Sequence, residues 1–93
     1  MAKKRKIKQI VLRKKRYSIK KVPYLGKYDG DCDNPADPNR TIRIRSGLKD
    51  EQELEVLLHE MLHACFWDIS EESIEESGID IARVLWQLGY RKD

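Results

Sequence analysis

Both histidines of the chain fall in the stretch LLHEMLHACFWD, Leu57 to Asp68, four residues apart with a glutamate directly after the first. His59-Glu60-Met61-Leu62-His63 has the form H-E-x-x-H. On a helix, at about 100° per residue, side chains four apart stand one above the other, so two imidazoles can reach one ion. Zinc suits imidazole nitrogen, and a site with three protein ligands keeps a fourth position for water. Zinc lowers the pKa of such a water to roughly 7, and the Glu60 carboxylate can take its proton as the water attacks a polarised carbonyl. The expected chemistry is hydrolysis, with His59 and His63 as metal ligands and Glu60 as catalytic base. The plain alternative is a pair of surface histidines with a solvated glutamate. It weakens because the motif sits in a strongly periodic helical stretch and no histidine occurs elsewhere.

A third ligand must come from outside the motif. The next helical stretch supplies Glu71, Glu72, Glu75 and Glu76. On a wheel centred on Ile74, Glu71 and Glu75 lie on the flank, roughly 60 to 100° from the apolar stripe, while Glu72 and Glu76 point to solvent. Glu75 is a full turn inside the helix, and Gly78 and Ala82 on the same flank are small enough to let the first helix come close. Glu75 is therefore the expected third ligand, with Glu71 as its substitute and a plain surface carboxylate as the bland reading.

The elements that must position these residues can be read from periodicity. IKQIVLR and YSIKKV are short and rich in β-branched and aromatic residues, interrupted by KKR, which predicts two strands or one strand with a bend, ranked above a helix over residues 4–15 because the apolar positions do not continue at helical spacing. The segment LGKYDGDCDNPADPNR must turn and loop, with a short strand around Lys27 to Cys32. In RTIRIRSG, Ile42 and Ile44 alternate with Arg43 and Arg45, the pattern of a half-buried strand whose arginine face can flank a groove. From Lys49 to about Trp67 the period becomes helical, with Asp50, Glu51 and Glu53 in the first turn and Leu54, Leu58, Met61 and Cys65 as the buried stripe. His59 and His63 lie roughly 100 to 140° from that stripe, with Glu60 on the far side of the pair from the core. A second helix starts after the cap Ser70, carries Ile74, Ile81, Leu85 and Leu88 as its stripe, and stops at Gly89. Strands followed by two helices predict an α+β fold.

The 93 residues suffice for one small domain and its tails. The formal charge of +3 conceals a division: Met1 to Tyr28 holds twelve Lys or Arg and no acid, and the remainder holds seven against sixteen acids. Residues 1–16 are expected to be a basic, partly flexible arm able to meet nucleic-acid phosphates, and residues 17–93 the domain proper. No apolar run approaches the ~20 residues needed to cross a bilayer, and no export signal is seen, so a cytoplasmic protein with reduced Cys32 and Cys65 is expected. Asp29, Asp31 and Asp33 alternate as in a calcium loop but lack its glycine and final glutamate, and read as a turn. Phe66, Trp67 and Trp86 read as packing residues. Tyr24, Tyr28 and Tyr90 are the available phenol donors to a developing oxyanion.

From about Tyr17 to Leu88 the chain resembles the small gluzincin metallopeptidases of phages and prophages related to the ImmA/IrrE peptidases. The resemblance rests on TIRI before the active helix, LLHEMLHA, and EESGIDIA from Glu75 to Ala82. It implies a small zincin-like fold, a peptide or protein substrate, a bacterial or phage source, His59, His63 and Glu75 as zinc ligands, and Glu60 as base. Gly78 and Ile79 depart from that family's usual Ala-Asn pair. The similarity to SprT-like proteins is weaker, since that group needs a third histidine. The competing expectation, from a different class, is a non-catalytic nucleic-acid-binding module that uses the basic arm, with the metal site structural.

Overall fold

The alternating residues of QIVL and KRYSIKKV pair as an antiparallel hairpin, β1 (Gln9–Leu12) and β2 (Lys15–Val22), in a computed structural model that describes residues 9–91. The tip is only Arg13 and Lys14, both with positive φ, 48° and 67°. Such two-residue turns match the right-handed twist of the flanking strands, but they favour glycine or asparagine because a Cβ is crowded there. Lys14→Gly is therefore expected to stabilise the fold by about 0.5–1 kcal/mol, read as a raised urea midpoint at unchanged slope.

The chain then forms β3 (Gly30–Cys32), β4 (Thr41–Arg45), α1 (Asp50–Cys65) and α2 (Glu71–Gln87). The sheet is mixed, in the order β1-β2-β4-β3, with β2 and β4 parallel and β3 an antiparallel edge strand. The expected α+β class is met by this four-stranded sheet followed by two helices. No described helix is long and apolar enough to cross a membrane. Residues 9–16 of the expected arm are not an arm: they are β1, the turn and the start of β2. Residues 1–8 of it lie outside the described residues.

Three layers result, because α1 packs on the sheet and α2 packs on α1 without touching a strand. Tyr17, Ile42 and Ile44 from the sheet and Ala64 from α1 form the centre of the core, with Val56, Leu57 and Met61 packed around it. Polar contacts fix how α1 lies on the sheet. The Tyr17 hydroxyl donates to the Ala64 carbonyl at 3.4 Å, and Arg13 at the hairpin tip donates to the Cys65 carbonyl at 2.8 Å, near the end of α1. Lys21 pairs with Glu53 near its start.

The helical stripes differ from the expected ones, and the layering is the reason. A helix buried between two layers has no single stripe. The buried residues of α1 are Glu60 and Ala64, while Leu54, Leu58, Met61 and Cys65 are only half-buried. On α2 the interface runs through Ile74, Gly78 and Ala82, so Ile81 and Leu88 are left exposed. A Cβ added to Gly78 would sit 3.5 Å from the His59 backbone. The expected close approach of the two helices at Gly78 and Ala82 is present, and it occurs at the first histidine of the motif.

Candidate metal and catalytic site

The motif lies in the C-terminal half of α1, which brings His59 and His63 to the same side of the helix with their rings 4.8 Å apart, edge to face. Their Nε2 atoms are 3.1 Å apart. Across the five-residue link 66–70, α2 starts under its cap, the Ser70 hydroxyl accepting from the Ser73 amide at 3.2 Å. Its first residue, Glu71, bridges the pair: Oε1 is 2.9 Å from His59 Nε2 and Oε2 is 2.8 Å from His63 Nε2.

Two Nε2–H tautomers can each donate to one Glu71 oxygen, but the two ring nitrogens then face each other at 3.1 Å with no hydrogen bond between them. A cation at the convergence would satisfy both rings and the carboxylate together. The spacings are close to those of donors sharing a tetrahedral zinc, about 3.3 Å apart for bonds near 2.0–2.1 Å. The donor set therefore fits a metal ion, and the ligand-capable atoms of His59, Glu60 and His63, which lie within 4.8 Å of one another, could hold one.

Glu75 is not on the pair. It is exposed, and its side chain makes no hydrogen bond or ion pair with another described residue. The reason lies in where the helices touch. Ile74, Gly78 and Ala82 define the contact line of α2, and at about 100° per residue Glu71 falls about 20° from the middle of that line, Glu75 about 60°. A wheel centred on Ile74 alone hides this difference. Gly78 is the usable signal, since a glycine inside a helix commonly marks a close approach.

Glu60 also lies elsewhere than expected. It faces the sheet and is 6% exposed, close to β3. Gly30 makes room for it, since a Cβ there would stand 2.6 Å from Val56 and 3.1 Å from a Glu60 carboxylate oxygen. Burial, reinforced by the charges of Asp31 and Glu71, pushes the Glu60 carboxyl up to about 7. A carboxyl that exchanges its proton near neutrality is suited to general acid–base work. Burial likewise pushes the neighbouring Cys32 thiol up to about 12, with Glu60 adding to it, which keeps the sulfur protonated and unreactive.

A cleft of about 570 Å³ opens over these groups, walled by β3, Tyr28, Trp67 and Ile69. Trp67, expected to pack inside, is 40% exposed, with its ring 6.3 Å from that of His63. Phe66 is exposed too. Of Tyr24, Tyr28 and Tyr90, Tyr28 alone lines this cleft. Arg43 and Arg45 do not flank it. They project from the other face of β4, Arg43 bonded to Asp31 and Asp33 at 2.9 and 3.0 Å and Arg45 to Asp29 at 3.0 Å. These pairs occupy the aspartate triplet. No protein-family model, curated protein or solved structure matches the chain, so the convergence of His59, His63, Glu71 and Glu60 in one cleft is the main pointer to what this molecule does.

Proposed function

We propose that the chain is a zinc-dependent peptidase of the gluzincin kind, with His59, His63 and Glu71 holding the ion and Glu60 moving the proton. The single observation that carries this reading is the convergence of two imidazole nitrogens and both Glu71 oxygens beside a buried carboxyl. Bound there, zinc supplies a Lewis acid that polarises a carbonyl and acidifies water. Glu60 takes a proton from the attacking water at its carboxylate and returns it to the leaving amine. Packing around Glu60 confines its carboxyl and keeps bulk water from competing for that proton. β3, the edge strand next to the cleft, has one backbone edge that pairs with no other described strand and that can pair with an extended peptide and lay its carbonyls across the site.

Metal removal and return test the proposal. The full chain should bind one zinc, hydrolyse a quenched-fluorescence peptide library, lose that activity to a chelator, and recover it with one equivalent of zinc. Because the ligands join two helices, zinc at a hundredfold over its Kd should also add about 2.7 kcal/mol of stability. Stoichiometric zinc with no hydrolysis of any peptide or unfolded protein would leave the site structural and end the peptidase reading.

A further inference from the structure

On the face of the sheet away from α1, the strand alternation that buries Tyr17 and half-buries Ile19 turns Arg16, Ser18 and Lys20 outward. Register aligns Gln9, Ser18 and Thr41 in one row across β1, β2 and β4. That row of short polar side chains floors a groove of about 700 Å³. Lys14, Arg16, Lys20 and Arg40 stand around it, and no aspartate or glutamate lines it. Arg16 and Lys20 flank the floor about 13 Å apart, four residues along one strand.

The charge of this groove is not spent elsewhere. Lys14, Arg16, Lys20 and Arg40 have no carboxylate partner among the described residues, whereas Arg43 and Arg45 on the same face are neutralised by Asp29, Asp31 and Asp33. Arg40 is held in place by the Arg16 carbonyl at 3.0 Å and the Asp37 carbonyl at 3.1 Å, which leaves its charge ordered at the rim. Two side-chain turns, Asn34 to the Ala36 amide and Asp37 to the Asn39 amide, brace the loop beside it. The groove shares no residue with the cleft over the histidines.

We propose that this groove seats the sugar-phosphate backbone of a nucleic-acid duplex without reading its sequence. Cations around a polar floor suit a row of phosphates, which Lys and Arg neutralise with release of counterions. No aromatic side chain lines the groove, so it offers no platform for the unstacked bases of a single strand. Val11 is its one large apolar residue, too little to insert into a lipid surface.

Fluorescence anisotropy with 20-base-pair DNA and RNA duplexes of arbitrary sequence, using the full chain between 50 and 200 mM salt, tests this. The wild type should bind a duplex with a steep salt dependence. R16E/K20E, at exposed positions, should lose at least tenfold in affinity at 50 mM salt and about two in the salt slope. The milder R16Q/K20Q should show roughly half that loss, and K27E/R83E, of equal charge change but away from the groove, should bind as the wild type does. The proposal is overturned by a wild type that binds no duplex, or by an R16E/K20E chain that binds undiminished, in which case the cations of residues 1–8 are responsible. It is equally overturned if K27E/R83E weakens binding as much, or if phosphatidylserine vesicles bind more tightly than either duplex.

Discussion

Glu60→Gln is expected to lower peptide hydrolysis about a hundred- to ten-thousandfold while zinc binding stays within a few-fold of wild type, because the amide keeps the shape of the side chain and cannot accept the proton. The same change should stabilise the metal-free protein. In the fold this carboxyl titrates at about 7 against an ordinary 4.5. As pH rises from about 4.5 to 7 the unfolded chain releases this proton while the folded chain keeps it, so stability drains away across that interval and the loss is complete above it. Gln carries no such penalty. Metal-free Glu60→Gln should therefore exceed wild type by on the order of 2 kcal/mol at pH 8 and match it near pH 4. With zinc bound the gap should narrow, since a nearby cation favours the carboxylate. Urea melts at both pH values, beside activity and zinc titrations, make the check. A variant that keeps its activity would remove Glu60 from the mechanism, and equal melts at pH 8 would remove the buried charge.

The second large effect separates the two glutamates of α2. Glu71→Ala should weaken zinc binding by roughly a hundredfold or more, as expected when one of three protein ligands is lost. Glu75→Ala should leave it within about twofold. Neither change should much alter the metal-free fold, since both residues are exposed and Glu71, at 66% exposure, contributes little through its histidine contacts in water. Competition with a chromogenic chelator gives both affinities directly. If Glu75→Ala abolishes binding and Glu71→Ala does not, the helix start must rearrange around the ion, and the ligand reverts to Glu75, the residue expected from its place a full turn inside the helix.

The histidine pair is legible in the sequence because helical spacing alone puts residues 59 and 63 on one side. The strand TIRIR is legible for the same kind of reason, its two-residue alternation separating Ile42 and Ile44 from Arg43 and Arg45. The burial of Glu60 is not. A wheel with one apolar stripe assumes one buried face, and α1 has two, against the sheet and against α2. The carboxylate that meets the pair is half legible: the helix, its Ser70 cap and the small residues at 78 and 82 are all apparent, but the choice between Glu71 and Glu75 depends on a rotation of a few tens of degrees. The basic N-terminal stretch is visible as composition, although its residues 9–16 are sheet, which turns a charge run into a shaped surface.

What the sequence by itself determined about this protein are the features that local geometry repeats: strand and helix periods, the cap at Ser70, and two imidazoles one turn apart. What only the tertiary structure decided is which carboxylates meet them. Glu71 reaches the pair because α2 crosses α1 at Gly78, and Glu60 is buried because Gly30 lets β3 approach it. Both contacts join different elements of the fold. Their geometry is set by how three layers pack, and no local period encodes the angle at which one layer lies on the next.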